Sequence, residues 1–144
     1  MLVENIMSKT VVTIAMDDSL KLMKEIFDNT NFHHLLVIES DELIGVISDR
    51  DYLRALSPNI GTAAETSKDV ATLNKRAHQI MTRKPVTLLA HAGLYDAIKI
   101  FNNHKISCIP IVDENYKPIG IISWRDIFNV LGSSQDKHQG NTIN

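Results

Sequence analysis

Two stretches decide the reading of this chain: Gly45-Val46-Ile47-Ser48-Asp49-Arg50-Asp51 and Gly120-Ile121-Ile122-Ser123-Trp124-Arg125-Asp126. They share glycine, isoleucine, serine, arginine and aspartate in one register. The likeness extends outward from them. Met7 and Met81 lie 74 positions apart, and Ile6/Ile80, Val12/Val86, Thr13/Thr87, Leu20/Leu94, Phe27/Phe101 and Asn29/Asn103 keep that offset. Past a turn the offset becomes 75, matching Ile44 with Ile119, Gly45 with Gly120 and Leu56 with Leu131. The extra residue falls in the second turn, Asp113 to Lys117, against Glu39 to Glu42 in the first. Hairpin loops absorb such insertions cheaply. The chain is therefore an internal repeat.

Each copy reads as β-α-β-β-α. Val11-Val12-Thr13-Ile14 and Pro85-Val86-Thr87-Leu88 have the β-branched content of short strands. Asp17-Asp18-Ser19 is an N-cap cluster. Leu20, Met23, Ile26 and Phe27 then share one helical face, and Leu94, Ala97 and Phe101 repeat it. Leu35-Leu36-Val37-Ile38 and Ile109-Pro110-Ile111-Val112 open hairpins whose second strands are Leu43–Ile47 and Ile119–Ile122, with both faces largely covered. Short helices close the copies at 49–56 and 124–131. The expected organisation is a first unit over 2–56, a linker over 57–74 with a helix starting near Ser67, a second unit over 75–131 and a mobile polar tail over 132–144. Val70, Leu73, Ala77 and Ile80 extend that linker helix into the second copy. Neither small sheet can bury its apolar face alone. The expected fold is thus α/β (α+β), two tandem units packed sheet to sheet with approximate twofold symmetry and two equivalent clefts.

Composition narrows the function. Of 144 residues, 44% are apolar and 22% charged, with a net charge of -2 and a pI near 6.3, so the chain is globular and lacks the basic face that a DNA or RNA duplex requires. No polybasic or membrane-spanning segment is present, and Met1–Asn5 lacks the start of a signal peptide; the expected compartment is the cytoplasm. The single cysteine, Cys108, sits in an apolar run and reads as a small core residue.

The closing signatures carry the chemistry. Each leaves a strand and enters a helix, with serine at the end where the first N–H groups lack partners and the helix dipole favours an anion. The aspartate three residues on can accept two hydrogen bonds, matching the hydroxyl pair of a ribose. The alternative is a capping box, in which serine and aspartate only satisfy the helix end. A single Ser-x-x-Asp reads as that cap. Its recurrence in register, with an arginine in the first turn where the dipole disfavours a cation, argues for a bound anion.

With these residues in view, the repeated unit resembles the CBS domain, and the tandem pair resembles a Bateman module of the stand-alone bacterial, acetoin-utilisation type. The resemblance rests on Ile6-Met7 and Ile80-Met81, on Ile109-Pro110-Ile111-Val112 and on both closing signatures. It implies an intertwined pair whose clefts bind AMP, ADP, ATP or S-adenosylmethionine as a regulatory ligand, with no catalytic cofactor. It places Ser48 and Ser123 on phosphate, with Arg50 and Arg125 beside them, and Asp51 and Asp126 on the ribose. Lys9-Thr10-Val11 and Lys84-Pro85-Val86 border the adenine, and His33-His34 and Ser107-Cys108, with Ile109 and Pro110, line the cleft opposite. It also implies a homodimer and an unknown effector protein. Two departures stand out. Leu36 occupies the position of Pro110, and Asp49 adds a carboxylate beside the phosphate where copy two has Trp124, so the second cleft is expected to bind more tightly.

His33 and His34 adjoin on a strand and point to opposite faces, which is poor geometry for a shared metal. His78, His91, His104 and His138 show no ligand spacing and read as surface residues. Trp124 covers apolar surface, anchors a dimer contact or stacks on a base. No catalytic constellation, P-loop or His-Glu-x-x-His appears. Three functions are weighed: a sensor of an adenosine compound, a dimerising scaffold with empty clefts, and, least supported by the residues, an enzyme.

Overall fold

The computed structural model describes residues 1–143, with side chains described through residue 133. It divides into two compact units that do not coincide with the repeats. One comprises Val12–Pro85; the other combines Met1–Val11 with Val86–Asn144. They are called here the first-repeat and second-repeat units.

The first-repeat unit contains β1 (Thr13–Ala15), α1 (Leu20–Asn29), β2 (His34–Glu39), β3 (Glu42–Ser48), α2 (Asp49–Ala55), α3 (Ser67–Ala71), α4 (Ala77–Ile80) and β4 (Thr82–Arg83). Its sheet has the order β1-β2-β3-β4. β1 pairs with β2 in parallel, as a crossover through α1 requires, and the other pairings are antiparallel. Ser19 caps α1 by accepting the Leu22 N–H. The predicted apolar face of α1 holds: Leu20 and Met23 are fully buried, with Ile26 and Phe27 packed beside them. Each such side chain contributes roughly 1.5–3 kcal/mol. The β2–β3 turn places Ser40 and Asp41 at positive φ, the geometry of a tight two-residue hairpin.

The second-repeat unit repeats the design with β5 (Leu88–Leu89), α5 (Leu94–Asn103), β6 (Cys108–Val112), β7 (Pro118–Ser123) and α6 (Trp124–Ile143). Its sheet has the order β5-β6-β7. Ala97 and Phe101 of α5, Ile109, Ile111, Ile122 and Ile127 form the core, and Val3 from the chain's start is buried among them. In the longer hairpin, the Asp113 carboxylate accepts the N–H groups of Asn115 and Lys117. Cys108 is buried, as its apolar run predicts.

Several expectations are corrected. The first strands begin later than their β-branched runs, at Thr13 and Leu88. In copy one the Leu36 N–H still reaches the Val12 carbonyl at 2.9 Å. In copy two the equivalent residue is Pro110, which has no N–H to donate, and regular pairing starts only at Leu88–Ile111. The hairpin faces are largely covered as expected: β2 and β6 are buried through their centres, and β3 and β7 alternate buried with half-buried residues. The helical run from Val70 to Ile80 is broken: α3 passes through a 3-10 turn, Thr72–Asn74, and α4 starts afresh at Ala77. The break has a tertiary cause. The Lys75 carbonyl accepts the Leu20 N–H, and the Ala77 N–H donates to the Asp18 carbonyl. The second closing helix does not stop at Leu131, since α6 is Trp124–Ile143. The stretch expected as a polar tail thus falls largely within α6, and His138 lies beyond the residues whose side chains are described.

Asp69 organises the linker. It accepts the Thr66 N–H at 2.7 Å and the Ser57 hydroxyl at 2.6 Å. The Ser57 and Thr66 bonds hold its carboxyl below the usual range.

The opening segment of each repeat completes the unit of the other repeat. β4, near the start of copy two, adds to the copy-one strand β3 through Arg83–Gly45 and Thr82–Val46. Ser8, near the start of copy one, bridges Ile121 of the copy-two strand β7.

Candidate functional site

Strand β3 delivers Ser48 to the first turn of α2, where Ser48 and Asp51 form a complete capping box. The Asp51 N–H donates to Ser48 Oγ at 3.0 Å, and the Ser48 N–H donates to Asp51 Oδ2 at 2.9 Å. Strand β7 delivers Ser123 to α6 in the same way. There Asp126 Oδ2 accepts both the Ser123 N–H at 2.8 Å and its hydroxyl at 3.2 Å. Sequence reading therefore finds both pairs, and the capping alternative it weighed is real geometry. A carboxylate has two oxygens, however, and the cap engages only Oδ2. All four side chains are half-buried, and Arg50 and Arg125 next to the aspartates are exposed.

The hairpin registers bring further predicted residues to these ends. His34 lies opposite Ser48 and Cys108 opposite Ser123. His34 is half-buried, and burial pushes its imidazole below the ordinary value, with Asp49 opposing the shift. His33 is exposed and its Nδ1 lies in hydrogen-bond contact with Asp49 Oδ2 at 2.9 Å. That contact was not anticipated from sequence; the signal available was only the adjacency of Asp49 to the signature. Ser107 is exposed, while Ile109 and Pro110 are buried in β6.

Trp124 stands where Asp49 stands in copy one. Its ring packs on Phe101, with centroids 4.8 Å apart, and on Phe128 at 5.6 Å. Of the three roles weighed for Trp124, covering apolar surface is the one these contacts display.

Lys9-Thr10-Val11 belong to the same compact unit as Ser123, and Lys84-Pro85 to the same unit as Ser48; Val86 begins the second stretch of the Ser123 unit. Lys9, Thr10 and Lys84 are exposed, and Val11, Pro85 and Val86 half-buried. Lys84 has φ +49° and its N–H donates to the Ile44 carbonyl. A surface groove of about 330 Å³ lies at the hairpin end of the second-repeat sheet, lined by Leu89, Ala90, His91, Val112 and Ile119 among others. No predicted ligand residue lines it. Among the described residues no three His, Cys, Asp or Glu side chains are placed to hold a metal ion, and no helix is long and apolar enough to cross a membrane.

Comparison with known proteins places this geometry in a family. The sequence profile of the CBS domain matches residues 3–58 and 77–133. A CBS domain-containing protein of Dictyostelium discoideum is 29% identical over 132 residues, covering 90% of each chain. A homoserine O-acetyltransferase of Methanosphaera stadtmanae is 29% identical over 129 residues, but this chain spans only 24% of it, and only 37% of the uncharacterized protein MJ1232 of Methanocaldococcus jannaschii. Among solved structures, the CBS domain pair of protein MJ0100, in complex with 5'-methylthioadenosine and S-adenosyl-L-methionine, is 28% identical with a TM-score of 0.73, covering 93% of this chain and 98% of that one. A candidate acetoin utilization protein (AcuB) from Vibrio cholerae shares the fold at 20% identity and a TM-score of 0.75, covering 97% and 96%. The chain belongs to the CBS-domain family, as a tandem pair.

Proposed function

We propose that this CBS pair is a regulatory module that binds an adenosine compound and passes the change to an effector protein. The observation that carries the reading is the Ser-x-x-Asp pair at the end of β3 and again at the end of β7, each aspartate keeping Oδ1 outside its cap. A ribose offers two hydroxyl donors to that carboxylate, and the serine hydroxyl suits a phosphate or a neighbouring polar group. The complex of the MJ0100 pair with 5'-methylthioadenosine and S-adenosyl-L-methionine supports the class of ligand. Lys9-Thr10-Val11 and Lys84-Pro85-Val86 are the proposed adenine borders, and His33-His34 and Ser107-Cys108 the proposed opposite walls. The Ser123–Asp126 end is the stronger phosphate binder in this reading, because Asp49 sets a second carboxylate beside Ser48.

Ligand binding regulates only through unequal affinity for two conformations. The proposed effector is a cytoplasmic protein, and the module's role is regulation rather than catalysis. A homodimer is proposed on the exposed apolar residues Leu53 and Phe128, which occupy equivalent positions on the two closing helices. The scaffold reading keeps one favouring observation: the Ser48–Asp51 capping box is complete without a ligand, and Asp126 already accepts the Ser123 N–H. Thermal-shift measurements with AMP, ADP, ATP, S-adenosylmethionine and NADH separate the two. Stabilisation by an adenosine compound is expected, and no shift at millimolar concentrations would leave the scaffold. Native mass spectrometry of freshly purified protein reads the retained ligand and the subunit count together.

A further inference from the structure

The two strand-to-helix ends differ at a pair of facing positions. In the first-repeat unit His33, just before β2, meets Asp49, the first residue of α2. The Asp49 N–H donates to the His33 carbonyl at 2.8 Å, and His33 Nδ1 stands 2.9 Å from Asp49 Oδ2. This double contact holds a carboxylate next to Ser48 and close to Asp51 along the chain. In the second-repeat unit the corresponding residues are Ser107 and Trp124, and the indole turns to Phe101 and Phe128. Both members of the pair are exchanged, and with them a negative charge for an aromatic ring.

The other charges at the two ends are alike. Asp51 and Asp126 match, and Arg50 and Arg125 hold the same place and are both exposed. Lys84 belongs to the unit of Ser48, and Lys9 to that of Ser123. His34, opposite Ser48, is kept toward its neutral form by burial and adds no opposing charge. The excess at the first-repeat end is therefore the Asp49 carboxylate. A neutral imidazole can donate a hydrogen bond to it without cancelling its charge. Such a group repels a phosphate and attracts a cation in the same place.

Resting on the reading of the two Ser-x-x-Asp ends as adenosine-compound ends, we propose that they select opposite charges. The first-repeat end takes an adenosine compound whose 5′ substituent is a cation, a sulfonium, and the second-repeat end takes the 5′-phosphorylated compounds. Asp49 is the specificity-determining residue. The ribose is held alike at both ends, by Asp51 and by Asp126. The module then reads two ligand classes, one at each end, instead of one class twice.

Calorimetry on the full chain at about pH 8, above the ordinary titration range of an imidazole, tests it. Asp126→Ala removes the ribose acceptor of the second-repeat end, so that binding reports the first. S-adenosylmethionine and S-adenosylhomocysteine differ by one methyl group and its positive charge, and AMP supplies a phosphate. In Asp126→Ala the sulfonium compound is expected to bind severalfold more tightly than the other two, the scale of an ion pair open to solvent. Adding Asp49→Asn is expected to level the sulfonium and thioether compounds and to strengthen AMP. Sodium chloride should erode the preference. A preference for AMP, equal affinity for the sulfonium and thioether compounds, or a preference that survives Asp49→Asn overturns the proposal. So does an Asp126→Ala variant that is folded by circular dichroism and binds nothing while the parent binds. Should Asp126→Ala fail to fold, two-site titrations of the parent and of Asp49→Asn make the same comparison. If none of the three compounds binds the parent, the reading of the Ser-x-x-Asp ends fails and the selectivity with it, whereas binding that ignores Asp49 sinks the selectivity alone.

Discussion

The sulfur of Met81 rests on Gly45 so closely that a β-carbon at position 45 would stand 2.5 Å from it. Met7 and Gly120 repeat the contact in the other unit. The methionine near the start of each repeat thus packs on the signature glycine of the other repeat, and only a residue without a side chain admits it. This gives the glycine of Gly-x-Ile-Ser-x-Arg-Asp a packing role separate from the serine and aspartate that follow.

Gly45→Ala should therefore destabilise the protein by about 1–3 kcal/mol through overpacking. Met81→Ala should cost about 2–5 kcal/mol by leaving a cavity. The double variant should lose clearly less than the sum, because removing the thioether makes room for the new methyl. Urea unfolding measures all three; additive losses would mean that the two residues do not share one contact.

Asp126→Ala and Asp51→Ala should each lose the hydrogen bond from the serine N–H at the helix start, about 0.5–1.5 kcal/mol. Their effects on AMP binding should differ. Calorimetry is expected to show the greater loss of affinity in Asp126→Ala, since Asp49 already disfavours phosphate beside Ser48. A greater loss from Asp51→Ala would reverse the ranking of the two ends.

His34 gives a pH dependence of known sign. Burial holds its folded pKa below the ordinary 6.5, so below that value the unfolded chain binds a proton that the folded chain resists. Stability should fall as pH drops below 6.5, and level off once the folded form also protonates. Urea midpoints taken from pH 7.5 to 5 should show a smaller decline in His34→Gln than in the parent. Equal slopes would assign the decline to other groups.

Leu53 and Phe128 are 63% and 60% exposed at matching places on α2 and α6. Leu53→Asp should leave the unfolding midpoint nearly unchanged when it is read at concentrations where the chain is monomeric, whereas Phe128→Asp also loses the ring contact with Trp124, about 0.5–1.5 kcal/mol. Light scattering at working concentration should show a dimer for the parent and a monomer for the double variant. A parent that is already monomeric would remove the dimer proposal.

The repeat, the β-α-β-β-α order and the apolar faces of α1 and α5 were legible in the sequence because they are local and doubled. A period of 3.6 needs only neighbours to be read, and the second copy checks the first. The Ser48–Asp51 and Ser123–Asp126 pairs were legible for the same reason: three residues at a helix start meet whatever surrounds them. The His33–Asp49 contact was not, since it joins two elements through a hairpin register. The helix expected across Lys75 was misread because its periodicity continues while its backbone bonds go to Leu20 and Asp18.

Sequence alone determined that two like units exist and which serines and aspartates stand at their strand-to-helix ends, because propensity, periodicity and caps act within a few residues. Only the tertiary structure decided which unit each leading segment completes. Met7 could in principle pack on either glycine, and the sequence contains no local preference between Gly45 and Gly120. The choice is made by long-range backbone pairing, Ser8 with Ile121 and Arg83 with Gly45, whose partners lie far apart along the chain.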